Sequence, residues 1–103
     1  MPAAQTLSTF DQEDLTIDNT TGGVALTVAK YQVIPPGRVA TLIVETAQIR
    51  WKKDMTGTLT ATTGGFVANV GTVIVLDNGA DLTSFRAIRT GATSGKIHVE
   101  YSR

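Results

Sequence analysis

Two β-branched runs separated by only two residues constrain this fold more than anything else in the chain. Arg38 to Thr46 reads Arg-Val-Ala-Thr-Leu-Ile-Val-Glu-Thr, Ile49 to Asp54 reads Ile-Arg-Trp-Lys-Lys-Asp, and Ala47-Gln48 lies between them. The pattern predicts a strand, a tight reversal and a second strand. The first run is apolar on both faces around Leu42, Ile43 and Val44, as expected of a central strand covered on both sides. In the second, Ile49 and Trp51 alternate with Gln48, Arg50 and Lys52, which predicts one face in water.

The same short runs and turn signals continue along the chain. Leu15-Thr16-Ile17 predicts a strand closed by the turn-forming Asp18-Asn19-Thr20-Thr21-Gly22-Gly23. Val24 to Val33 predicts another, with Val24, Leu26 and Val28 on one face, stopped by Ile34-Pro35-Pro36-Gly37, whose prolines remove two ladder donors. From Met55 to Gly71 the alternating Thr58, Thr60 and Thr62 fit either a weak edge strand with a hydroxyl face or a long exposed loop, and Gly64-Gly65 marks a turn or bulge before Phe66. Thr72 to Leu76 is a second run apolar on both faces, and Asp77-Asn78-Gly79 is a turn signal. Ala80 to Ser84 allows one helical turn at most, and Phe85 to Arg89 predicts a strand. In the last strand Ile97, Val99 and Tyr101 face inward while Lys96, His98, Glu100 and Ser102 face out. No segment is long enough for a crossover helix. The expectation is an all-β fold, an antiparallel β-sandwich or jelly-roll-like barrel of about seven or eight short strands.

A chain of 103 residues suits one domain. Residues 1–14 are expected to form a polar N-terminal arm and residues 15–103 a single β-sandwich domain. Within the arm, Phe10 either tucks against the body or reaches onto a neighbouring subunit. Nine basic residues balance nine acidic ones, which argues against a nucleic-acid partner, since binding a phosphate backbone calls for concentrated Lys and Arg. The same neutrality leaves little electrostatic protection against self-association, and a homo-oligomer is expected. With no cysteine there is neither a disulfide framework nor a thiolate metal site. Met1 to Thr6 lacks the basic start and apolar run of a secretory signal, and no apolar run approaches the ~20 residues that cross a bilayer, so no membrane partner is expected.

Catalytic chemistry is not expected. His98, the only histidine, points outward beside Glu100 with no strained serine-containing turn to accompany it. The carboxylates Asp11, Glu13, Asp14, Asp77 and Asp81 lie in terminal or turn-like segments. Asp77 to Asp81 offers oxygen ligands for an ion, yet the same residues are ordinary turn material, and no cofactor or metal is expected. Trp51 shares a face with Ile49 and reads as core; exposed, it would form a ligand face with Thr58, Thr60 and Thr62.

The succession Ile34-Pro35-Pro36-Gly37, Ile49 to Asp54, Gly71 to Leu76, Leu82-Thr83-Ser84-Phe85-Arg86-Ala87-Ile88-Arg89 and Ile97 to Tyr101 resembles small β-sandwich structural proteins of tailed bacteriophages. The chain departs from them at Asp54-Met55-Thr56-Gly57-Thr58, where relatives carry an Asp-Gly turn followed by a Pro-Thr pair. The resemblance implies a virion protein assembled in the host cytoplasm, either a capsid decoration or cement protein or a neck or tail component, with phage capsid or tail proteins as partners. Phe10, Arg86 and Arg89 are then the candidate interface residues. The rival expectation is a carbohydrate- or receptor-binding module of a fibre, using Trp51 and the threonine loop.

Overall fold

The computed structural model describes residues 8–54 and 57–103. These fold into seven strands: β1 (Thr9–Ile17), β2 (Val39–Glu45), β3 (Ile49–Lys52), β4 (Phe66–Ala68), β5 (Val73–Leu76), β6 (Arg86–Arg89) and β7 (Gly95–Ser102). Two short helices, α1 (Val28–Tyr31) and α2 (Gly79–Ser84), complete the elements. The strands form two antiparallel sheets, a larger one in the order β1-β7-β2-β5 and a smaller one in the order β4-β3-β6. The all-β sandwich expected from the sequence is the observed class. It is not a closed barrel, because the two sheets remain separate.

The organising stretch of residues 38–54 is not a hairpin. Strands β2 and β3 lie in different sheets, and the turn between them carries the chain across the sandwich. Thr46 adopts φ 74°, and the Ala47 N–H donates to the Glu45 carbonyl at 2.9 Å, a three-residue γ-turn at the crossing. The β4–β5 and β6–β7 connections also change sheets. Among consecutive strands only β3 and β4 pair with each other; the other hydrogen-bonded pairs, β1 with β7, β7 with β2, β2 with β5 and β3 with β6, join strands distant in sequence.

That core takes alternate residues from the facing sheets. Leu42 and Val44 of β2 and Ile97, Val99 and Tyr101 of β7 meet Ile49, Ala68 and Ala87 of the smaller sheet, and Leu82 and Phe85 close one end. The inward set expected for β7 is the observed one. Strand β2 is central, between β7 and β5, yet Thr41 and Ile43 are exposed, so only one of its faces is covered. An apolar residue on both faces shows that burial is tolerated, not that a second layer exists.

Three further expectations change. The run 24–33 is not a strand: Val24 makes one bridge, to Ala87, and residues 28–31 form α1. Side-chain contacts hold this segment against the larger sheet. Glu13 accepts from the Thr27 hydroxyl at 2.6 Å and from the Tyr101 hydroxyl, and the Tyr31 and Tyr101 rings stack with centroids 6.2 Å apart. The arm is shorter than expected, because residues 9–14 belong to β1 and pair with β7; residues 1–7 lie outside the described residues. Finally, β3 does not have a wet face. Lys52 is only 8% exposed, and Arg50 donates to the carbonyls of Ala61 and Gly64, because residues 57–65 fold back across the outside of the smaller sheet.

Candidate functional site

The sandwich has two unlike sides, and the contrast follows from the residues on its edge strands. On the β1 side the outer face is charged. Asp14 accepts from or pairs with His98 Nδ1 at 2.8 Å, and Lys96 lies 4.0 Å from Asp14 and 3.7 Å from Glu45. The His98 contact, seconded by Lys96, holds the Asp14 carboxyl below its ordinary value. Lys30 does the same for Asp11 from 3.1 Å. Edge strand β1 is thereby ringed with carboxylates, and the Glu13–Thr27 contacts lay a loop along it. Natural sheets use such devices to keep edges from pairing with other chains.

Among the described residues the opposite side has none of them. The register aligns Asp14, His98, Ile43 and Val73 in one row across the larger sheet, and Gln12, Glu100, Thr41 and Val75 in the next. Each row passes from polar at β1 to a bare valine at β5, where Val73 is 58% and Val75 54% exposed. Beneath β5, edge strand β4 and its following loop add exposed Phe66, Val67 and Val70. Four residues join β4 to β5 across the sandwich, so the two edge strands share one side of it, with Val67, paired to Arg50, facing out of the smaller sheet and Val73 and Val75 facing out of the larger one. In the run 72–76, apolar on both faces, Ile74 and Leu76 enter the core while the intervening valines face outward on an edge.

A cleft of about 190 Å³ opens on the other sheet, lined by Lys52, Asp54, Thr58, Leu59, Ser84 and Arg86 among others. Its cations are engaged with the fold itself. Lys52 Nζ donates to the Gly57 carbonyl at 2.7 Å, and Arg86 Nη1 donates to the carbonyls of Thr83 and Phe85 at 3.0 and 2.6 Å. Leu59 and Ile88 are buried here, outside the central cluster, where residues 57–65 cover the sheet. The arrangement fastens a loop.

No family model, curated protein or solved structure matches this chain.

Of the residues singled out from the sequence, Thr58 and Arg86 line the cleft together, and the others are scattered. Phe10 is half-buried against the core beneath Arg103, whose guanidinium carbon lies 4.3 Å from the ring centroid. Arg86 and Arg89 are half-buried on β6; Arg89 Nη1 donates to Ser94 Oγ at 3.4 Å. Trp51 is partly buried between Phe66 and Phe85, at centroid distances of 5.5 and 6.1 Å. Thr58, Thr60 and Thr62 are exposed but do not form an extended hydroxyl face, because Thr60 folds onto Thr63 in a side-chain turn. Asp77 and Asp81 serve the start of α2: Asn78 Oδ1 caps the Asp81 N–H at 2.9 Å, its amide donates to both carboxylates, and Lys53 lies 3.5 Å from Asp81. Sequence reasoning overlooked Val73, Val75, Val67 and Val70. Their signal was the high β-propensity, uncharged run itself, which reads equally as a buried strand or as an edge made to be covered.

Proposed function

We propose that the protein is a structural subunit of a tailed-phage virion, a capsid decoration or cement protein without catalytic function, which makes its subunit contacts through the β4–β5 side. The observation that carries the reading is the asymmetry of the sandwich. One edge is guarded by Asp11, Glu13 and Asp14, while the other presents Phe66, Val67, Val70, Val73 and Val75 to its surroundings. Apolar side chains exposed together along one edge of a sandwich mark contact sites rather than solvent-facing ones. The resemblance of residues 34–103 to phage β-sandwich proteins supplies the setting, and a compact sandwich with a bare edge suits a protein that stitches neighbouring subunits together. The carbohydrate-binding alternative draws less support, because Trp51 is held between Phe66 and Phe85 rather than standing clear as a platform.

The test is co-sedimentation and light scattering of the purified protein with phage shells and, separately, tails assembled without it. Saturable binding to shells is expected. Binding to tails or portal complexes alone would reassign it to the neck or tail, and retention on a glycan array without binding to any particle would overturn the structural reading.

A further inference from the structure

We propose that β5 is a self-pairing edge: two copies of this chain join β5 to β5 antiparallel across a two-fold axis, merging their larger sheets into one continuous sheet of eight strands. This deepens the proposed function by naming a partner, and it rests on that reading's premise that contacts run through the β4–β5 side.

The hydrogen-bonding phase of β5 sets the register. At its start, Gly71 (φ 93°) and Thr72 both face Val44: the Gly71 N–H donates to the Val44 carbonyl at 2.8 Å, and the Val44 N–H donates to the Thr72 carbonyl at 3.0 Å. This bulge places Val44 at a hydrogen-bonded position, so the next such pair along the ladder is Leu42 with Ile74. Ile74 therefore spends its backbone groups on β2. The N–H and C=O of Val73 and Val75 point the other way, into the outer edge, where no strand pairs with them among the described residues. Two-fold pairing centred on Ile74 sets Val73 of each copy opposite Val75 of the other. Every outward backbone group of β5 is then matched, by four hydrogen bonds. Shifting the centre to Val75 would instead set Val73 against Asp77 and its charge.

The side chains agree with the backbone. In the Ile74-centred register, Val73 and Val75 meet their counterparts on the outer face, forming a β-branched patch across the seam. No charged residue occurs between Gly71 and Leu76, and the chain as a whole is neutral, so like-charge repulsion does not oppose self-association. Beneath the seam, Phe66 of edge strand β4 is also exposed, beside Trp51.

The test is sedimentation equilibrium on the full chain with a charge-exchange pair. The wild-type protein is expected at twice the monomer mass of 10.9 kDa, with amide exchange at Val73 and Val75 slowing as concentration rises. Val75→Lys and Val73→Glu, each at an exposed position, are each expected to weaken the dimer at least tenfold while leaving the unfolding midpoint nearly unchanged. Combining them is expected to restore the dimer, because in the Ile74-centred register the two introduced charges face each other across the seam. A wild-type monomer at all concentrations overturns the proposal, as does a dimer indifferent to both single substitutions. Failure of the double variant to recover overturns the register. Shell binding by a wild-type monomer would sink this inference and leave the proposed function standing; a dimer that binds no particle would do the reverse.

Discussion

Replacing Gly65 with alanine is expected to be among the most damaging single-methyl changes in this protein. Gly65 sits at φ 61°, immediately before β4, and a Cβ built there would lie 2.0 Å from the Trp51 carbonyl oxygen and 2.7 Å from its carbon. Both obstacles are backbone of β3, which cannot rotate aside as a side chain could. Relief requires β4 to retreat by about 1 Å, which loosens one or two ladder hydrogen bonds at ~1 kcal/mol each. The left-handed backbone adds about 1–2 kcal/mol for any residue with a Cβ. The total is about 2–4 kcal/mol, which in a domain of this size corresponds to a fall in Tm of roughly 10–30 °C. Urea unfolding followed by the fluorescence of Trp51, the only tryptophan, reports on the affected strand directly. Gly22→Ala is the control, since Gly22 has φ 83° but nothing within 4 Å of the added carbon, leaving the backbone cost alone. Equal destabilisation by the two substitutions would refute the close approach of residue 65 to β3.

Leu59→Ala, at a side chain 1% exposed beneath residues 57–65, is expected to cost about 2–3 kcal/mol and to increase protease cleavage within that loop; an unchanged unfolding midpoint would show that the loop is not pinned there. Burial and the neighbouring Glu13 carboxylate raise the Tyr101 phenol above its ordinary value of 10.0, so its contribution to stability is complete below pH 10 and is lost as pH rises toward the folded-state value. Tyr101→Phe is expected to lower stability at neutral pH by about 1–2 kcal/mol, through loss of a hydrogen bond to a charged group, and to flatten the alkaline limb of a melting-temperature profile. At the acid end, Asp11, Asp14 and Asp18 are held below 3.8 chiefly by hydrogen bonds to Lys30, His98 and Thr20, so their contributions are present above that pH and disappear as it falls further. Asp11→Asn should blunt this acid loss, and added salt should shrink the difference, because these carboxylates lie at the surface.

Local patterning along the chain dictates the class of fold and much of its strand content. Alternation in 95–102 placed Ile97, Val99 and Tyr101 inside, and the prolines at 35 and 36 kept their segment out of the ladders, because period-two patterning and the missing proline N–H are properties of the local chain. Tertiary structure alone decided which strands pair. Residues 38–54 look the same whether the turn at Thr46 folds β3 back beside β2 or swings it into the opposite sheet, and only the packing of Ile49 against the core of the larger sheet distinguishes the two. The same holds for 72–76: an apolar residue on each face is compatible with two covering layers or with one layer and a bare edge. The neighbours of a strand are supplied by parts of the chain remote in sequence, and β5 acquires its position as an edge because β7, from the far end of the chain, takes the other side of β2. The candidate contact surface was therefore written in the residues Val73 and Val75 but could be recognised only once their partners were counted.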